Sequence, residues 1–225
     1  MKVLTYDDMH LEPISYSYKP SECMKLACDI TQKKLKKTHG ISLDTPISDK
    51  LAQFLIDADH TSVFEHSSMT FLASGISRSL LAQVTRQRMF SFTSASQHYQ
   101  DYRDYPMSIR PGYTKDKALV LKYEKALDDS LNAYIELIEL GEKPEEARQV
   151  LPNACTVNLV ITANARSLAE FLTTRLCERN TLEMRIFAQK LHTVCQNWIP
   201  EVFSFIGPYC FMDGGCNQGP MSCRK

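Results

Sequence analysis

Two arginines one residue apart, Arg86 and Arg88, precede a run in which seven residues separate Arg88 from Ser96, with Gln97 and His98 next. A guanidinium is always charged and presents a planar fork of donors, so away from water it needs an anion or a set of carbonyls. Guanidinium, hydroxyl and imidazole groups in one short run can grip a phosphate, and they can equally form a wet surface turn. Further arginines lie on or beside apolar segments: Arg148, Arg166, Arg175 and Arg185. Arg175 follows Phe171 by four residues and Leu172 by three, at the border of an apolar helical stripe. Its partner is either a core glutamate such as Glu183 or the phosphate or carbonyl-rich ring of a ligand. No nucleophile stands out. There is no Gly-x-Ser-x-Gly, and no cysteine has a histidine and a strand-to-helix elbow beside it. His60 and His66 lack a third ligand to make a metal site, and each reads singly as a hydrogen-bonded structural histidine. The residues thus describe an anion-binding domain whose chemistry depends on a bound cofactor.

The elements that must position these groups read as an α+β chain. Leu51, Phe54, Leu55 and Ala58 recur at helical spacing. Residues 62–75 alternate, with Met69, Phe71 and Ala73 to one side, as a strand closed by Gly75. A helix from Ser77 turns Leu80, Leu81 and Val84 inward, and its other side carries Gln83, Arg86 and Gln87. The clearest helix spans 115–140, with Leu127, Leu131, Tyr134, Ile135 and Ile138 on one stripe and Gly141 as its stop. A short helix before Pro152, a β-branched strand over 155–164, a helix capped by Asn164 and a last helix over about 181–198 follow. No βαβ alternation or Gly-rich phosphate loop is present, so a Rossmann or P-loop cofactor site is unsupported.

The composition is ordinary for a globular chain of 225 residues, 44% hydrophobic and 23% charged, with equal acidic and basic counts. Zero net charge argues against nucleic-acid and membrane-surface partners, which select a basic excess. No apolar run approaches the roughly 18 residues that a membrane span needs. The N-terminal segment turns acidic too early for a signal peptide, so a soluble cytoplasmic protein is expected. The eight cysteines are expected to be reduced thiols. Cys210, Cys216 and Cys223 crowd the C-terminal end without a C-x-x-C pair or a nearby histidine, so flexible tail thiols are the reading preferred over a metal site.

Arg86-Gln87-Arg88 followed by seven residues and Ser96 resembles the Arg-His-Arg-(x)7-Ser signature of the flavin-dependent thymidylate synthases. His60–His66 (HTSVFEH) resembles the family's His-x-x-x-Phe-Glu-His segment, and EEARQVLP (145–152) is similar to its Ala-Arg-x-x-Leu-Pro segment. TANARSLAEFLTTR (162–175) looks like its Asn-Ala-Arg-Ser-Leu helix, ending in the same arginine. The resemblance implies that family's α+β fold, a small mixed or antiparallel sheet with long helices, as one domain over 1–205 with a Cys-containing tail over 206–225. It implies a homotetramer with sites at subunit interfaces, and methylation of dUMP by FAD with NADPH and methylenetetrahydrofolate as co-substrates. In that family no protein nucleophile attacks the pyrimidine, which agrees with the missing nucleophile here. Carried over by position, Gln83, Arg86, Ser94, Ser96, His98 and Arg148 would hold the nucleotide. Arg175 would contact its pyrimidine and stabilise negative charge there as the catalytic residue. His60, Arg86, Gln87, Arg88, Asn164, Arg166 and Glu170 would line the flavin and folate pocket.

Several of these positions depart from the family pattern. Gln87 replaces the signature histidine, Ser94 a usual glutamate, and His98 the arginine of a Ser-x-Arg-Tyr ending, so a fixed charge becomes a titratable one. Asp29 stands where members tend to have arginine, Arg179 where histidine is frequent near the flavin, and Glu170 where a polar amide can occur. Three functions remain open on this basis. They are an active dUMP methylase, a flavoenzyme acting on another pyrimidine nucleotide, and a non-catalytic nucleotide-binding paralogue.

Overall fold

The structure, a computed structural model, describes residues 3–32, 34, 39, 41–98, 101–104, 109–110, 116–212 and 215–223. In chain order the elements are β1 (Leu4–Thr5), β2 (His10–Tyr16), α1 (Pro20–Thr31), α2 (Asp49–Asp57), β3 (Ser68–Ser77), α3 (Arg78–Val84), β4 (Ser91–Ser94) and β5 (Ile109–Arg110). They continue with α4 (Lys117–Glu139), α5 (Pro144–Ala147), β6 (Thr156–Asn164), α6 (Ala165–Arg175), α7 (Leu182–Trp198), α8 (Pro200–Phe203) and α9 (Tyr209–Met212). The main sheet has the order β2-β3-β6-β4, and β1 pairs in parallel with β5. Where β2 leads out, Ser17 N–H donates to Ser68 O at the start of β3, the mark of an antiparallel pair. The chain forms two compact units. The first is Met1–His10, Leu72–Arg86 and Phe92–Val160, and the second is Leu11–Phe71, Gln87–Ser91 and Ile161–Lys225.

In the first unit the long helix α4 is built as its pattern predicts. Asp116 caps it by accepting from Ala118 N–H at 2.8 Å. Its end is closed at Gly141, where φ is 95° and Glu142 N–H returns to Leu137 O. Tyr134 is buried against Tyr102, Ala147 and Cys155, with Leu131, Ile135 and Ile138 packed around them. The rings of Tyr102 and Tyr134 meet edge-on with centroids 6.4 Å apart. Ser77 accepts from Leu80 N–H at 2.9 Å and so starts α3. That helix stops at Val84, and Thr85 Oγ1 donates back to Leu81 O. Arg86 and Gln87 therefore lie beyond the helix, not on the polar face expected to continue from Gln83.

The strand expected over 62–75 begins later and ends later. Thr61–His66 winds as a 3-10 helix with Val63 and Phe64 buried, and β3 runs through Gly75 to Ser77. Met69, Phe71 and Ala73 point inward as predicted, but beyond Gly75 the inward side shifts to Ile76. Gly75 has φ +68°, which lets the strand slip one position as a bulge does.

In the second unit α6 and α7 pack on one another through Phe171, whose ring lies 5.4 Å from Phe90 and 6.1 Å from Phe187. Leu168, Phe171 and Leu172 are all buried. α2 differs from its reading: Ala52 and Leu55 face inward, whereas Phe54 is 57% exposed. The helix has only nine residues, and a rotation of about one position on so short an element is not resolved by its apolar spacing.

Candidate functional site

The predicted residues divide between the two units. In the first unit, Gln97 and Arg148 line one small polar cleft of about 570 Å³, walled also by Gln149, Leu151, Pro152 and Asn153. Ser96 Oγ accepts from His98 N–H at 3.2 Å, which folds the loop after β4 on itself. His98 Nε2 lies 2.9 Å from Glu145 Oε2, tying that loop to α5. Arg148 follows α5 directly, in the 3-10 turn Arg148–Val150. Gln83 Nε2 donates to Ser79 O at 3.2 Å, and Ser94 is exposed at the end of β4. Arg86 is exposed and Arg148 is half-buried. Among the described residues neither guanidinium meets a carboxylate. Water can solvate the exposed Arg86, whereas the half-buried Arg148 is the one whose charge makes the greater demand for a partner.

One residue that sequence reasoning passed over positions this loop. Arg78 Nη2 donates to Ala95 O at 2.9 Å and to Tyr102 Oη at 3.1 Å, fixing the residue before Ser96. Arg78 N–H itself donates to Cys155 O at 2.9 Å. Burial pushes the Cys155 thiol up to about 11, against the opposing pull of Arg78. The signal was the first position of α3, an arginine directly after a capping serine. Its long reach is not visible from spacing.

In the second unit, Arg166 is the centre of an ion-pair network. Its Nη1 donates to Glu65 Oε1 at 2.6 Å and its Nε to Glu170 Oε1 at 3.0 Å. The hydrogen bonds it donates to Glu65 and then to Glu170 raise its already high pKa further. Glu65 was absent from the predicted set, although it stands within the His60–His66 segment. Asn164 Oδ1 accepts from Ser167 N–H at 2.8 Å and caps α6, so its carbonyl is structural and its amide NH₂ is the group to offer a ligand. His60 sits exposed at the start of the 3-10 turn, after Asp59 with φ 55°. Gln87 is half-buried, and Arg88 is exposed with no carboxylate partner among the described residues.

Arg175, half-buried at the end of α6, donates from Nη1 to Asn180 Oδ1 at 3.3 Å, and its guanidinium carbon lies 6.0 Å from the Phe171 ring centre. Asn180 Nδ2 in turn donates to Thr174 O at 2.9 Å and Cys177 O at 3.1 Å, closing the helix end. Of the two partners expected, Glu183 is buried on α7; the direct contact shown is with Asn180. Asp29 pairs with Lys25 one turn earlier on α1. Arg179 Nη1 donates to Gln218 Oε1 at 3.1 Å and Thr173 Oγ1 to Met212 Sδ at 3.4 Å, so Met212 and Gln218 lie against α6 and the turn after it. All eight cysteines are free thiols. Cys177, Cys210, Cys216 and Cys223 line one cleft of about 710 Å³. Among the described residues no three histidine, cysteine or acidic side chains are placed to hold a metal.

Against known proteins, residues 13–201 match the family model Thy1, thymidylate synthase complementing protein. A flavin-dependent thymidylate synthase of Clostridium tetani is 30% identical over 224 residues, covering 92% of this chain and 84% of the relative. The chain belongs to the flavin-dependent thymidylate synthase family. A second such synthase, from Geobacter sulfurreducens, is 34% identical over 173 residues, 76% of this chain and 74% of that one. The fold is also that of a solved structure, a UMP/dUMP methylase PolB from Streptomyces cacaoi bound with 5-Br dUMP. It superposes with a TM-score of 0.73 at 22% identity, covering 91% of this chain and 96% of that one. The Arg86–Ser96 stretch lies in the matched region. No helix among the described residues is long and apolar enough to cross a membrane.

Proposed function

We propose that this chain methylates dUMP to dTMP with a bound FAD, taking the carbon from methylenetetrahydrofolate and reducing equivalents from NADPH. The observation that carries the reading is the pair Arg86 and Arg148, guanidiniums without acidic partners among the described residues, in the unit that also presents Ser96 and His98. Together with Gln83 and Ser94 they form the nucleotide-holding group, and Arg148 in its polar cleft takes the phosphate. The half-buried Arg175, held by Asn180 and Phe171, supplies fixed positive charge toward the pyrimidine without a proton to lose.

The link between a cleft of the second unit and the polar residues assigned to the flavin is Glu65, which edges the cleft and pairs with Arg166. A largely apolar cleft of about 760 Å³, lined by Leu26, Ala27, Ile30 and Val63 and edged by Ser62 and Glu65, suits a ring system with polar substituents. His60, Gln87, Arg88, Asn164, Arg166 and Glu170 would hold the flavin and the folate. When bound, the flavin supplies the hydride chemistry that no side chain of this protein can provide. The residues bind, orient and neutralise charge. A homotetramer with sites completed between subunits, in the cytoplasm, completes the reading.

A second reading has specific support. The solved protein of the same fold is a methylase of UMP as well as dUMP, and Ser94 and His98 depart from the family pattern on the nucleotide side. A different sugar would alter such contacts while sparing the phosphate grip. The test is the visible absorption of the purified protein titrated with FAD and then with dUMP, UMP or dCMP. Flavin bands near stoichiometry that shift with dUMP support the first reading, and a shift with UMP alone supports the second. A protein that takes up no FAD overturns both.

A further inference from the structure

Cys210, Cys216 and Cys223 from the C-terminal segment and Cys177 from the turn after α6 line one cleft of about 710 Å³, all of it within the second unit. Half of the chain's eight thiols thus share one hollow of the size that takes a small organic molecule. Cys177, Cys210 and Cys216 are half-buried and Cys223 is exposed. Among the described residues they are not placed to hold a metal, which leaves the chemistry of single thiols. The same cleft is lined by Arg185, near the start of α7. Its Nε is buried with no hydrogen-bond partner, and its guanidinium meets no carboxylate, among the described residues. A buried donor left unsatisfied costs more when it carries charge, so this position favours an anion. Arg179, whose Nη1 donates to the neutral Gln218, adds a second cation to the lining. The acid among the lining residues is the exposed Glu178.

A hollow that joins thiols to an unsatisfied guanidinium selects a ligand with a carboxylate and a group that thiols attack. We propose that this cleft binds an acidic, low-molecular-weight disulfide, the chemistry of glutathione disulfide, and exchanges it with one of the four thiols. Arg185 pairs with a carboxylate of the ligand, a charge-assisted contact that the guanidinium fork matches. In the exchange a protein thiolate attacks one sulfur of the bound disulfide. The new sulfur–sulfur bond joins the protein to one half of the ligand. The old bond breaks, and its electron pair leaves on the other half, which takes up a proton in place of the one the protein thiol lost. The ligand's disulfide is itself the oxidant, so one protein thiol is consumed and one small thiol is released. The exchange is independent of the nucleotide-site reading.

The test treats the reduced, full-length protein at about pH 8, where exchange through thiolate proceeds, with glutathione disulfide or with uncharged hydroxyethyl disulfide. Adducts are located by peptide mass mapping, and each rate is divided by that disulfide's rate with the urea-unfolded chain. After that correction the cleft thiols favour glutathione disulfide about tenfold, the size of one charge-assisted contact. Cys23, half-buried in another cleft of the same unit, shows no such preference. R185M, checked for folding by circular dichroism, loses the preference while still reacting with the hydroxyethyl reagent. A ratio near one at the cleft thiols of the parent overturns the proposal, as does a ratio that R185M leaves unchanged or one equally large at Cys23. Should R185M not fold, the parent protein decides. S-methylglutathione keeps the carboxylates but cannot exchange, and it slows alkylation of the cleft thiols by iodoacetamide without protecting Cys23. Alkylation of the cleft thiols at the same rate with and without it overturns the proposal.

Discussion

Glu65 Oε1 accepts a hydrogen bond from Arg166 Nη1 at 2.6 Å, although 101 positions separate the two residues in the chain. The contact joins the 3-10 turn Thr61–His66 to the first turn of α6 and borders the apolar cleft proposed for the flavin. Both side chains are more than a third exposed, so the pair contributes at most about 1 kcal/mol to stability. Its use is to aim the guanidinium. E65A is expected to leave the melting temperature nearly unchanged and to weaken FAD about three- to tenfold in an absorbance titration. A variant that binds FAD normally would show that Arg166 is aimed by Glu170 alone.

Arg148 has no carboxylate partner among the described residues and lines the cleft beside Gln97. Replacing it by alanine removes a charge-assisted hydrogen bond to phosphate, worth about 1.5–3 kcal/mol. R148A should therefore bind dUMP about ten- to a hundredfold more weakly, with deoxyuridine, which has no phosphate, bound as before. Equal losses for both ligands would point to a disturbed fold.

The oxygen of Asn164 caps α6, and its nitrogen is the end proposed to meet the cofactor. N164A should lose about 1 kcal/mol of stability, measured by urea denaturation, together with FAD affinity. N164D keeps the cap oxygen, so it should retain stability while FAD affinity falls. The two effects come apart only if the oxygen and nitrogen have these separate roles.

Gly75 holds φ +68°, and a Cβ there would come within 3.1 Å of Asp8 O. G75A should cost about 1–3 kcal/mol through strain alone, read as a lower urea midpoint. A neutral substitution would mean that the bulge can relax without disturbing Ile76.

The thiols divide by burial. Burial pushes the Cys155 thiol up to about 11, and it likewise pushes the Cys195 thiol up. A thiol pKa raised on folding contributes stability that is complete below the unfolded value, near 8.5, and that is lost as pH rises toward the folded one. The protein should accordingly become less stable between about pH 8.5 and pH 11, and C155A should flatten that decline. In native protein near neutral pH a thiol reagent should modify the exposed Cys223 and spare the buried Cys28, Cys155 and Cys195. Rapid modification of all eight would contradict this packing.

The helices that carry the site were legible in the sequence because their signals are local. The stripe of α4, the Gly141 stop, the Asn164 cap and the Leu168–Phe171–Leu172 face each depend on residues within a few positions of one another. The motif spacing from Arg86 to Ser96 was equally local, and on the residues alone it left a phosphate grip and a wet surface turn both open. The 3-10 turn at Thr61–His66 was misread as strand because Val63 and Phe64 are apolar neighbours in either geometry. α2 was turned by one position because Phe54 and Leu55 are both large and apolar, and only packing selects which one is buried.

By itself the sequence determined a variant of the family's signature, arginines placed on or beside apolar segments, and no convincing nucleophile. Tertiary structure alone decided which arginines are spoken for. Arg78 reaches Ala95 and Tyr102, Arg166 reaches Glu65, and Arg175 rests on Asn180, whereas Arg86 and Arg148 meet no carboxylate among the described residues. The reason is physical. A guanidinium's charge is a property of the residue, but its partner is whatever distant group folding brings within about 3 Å, a distance at which one-dimensional spacing carries no information.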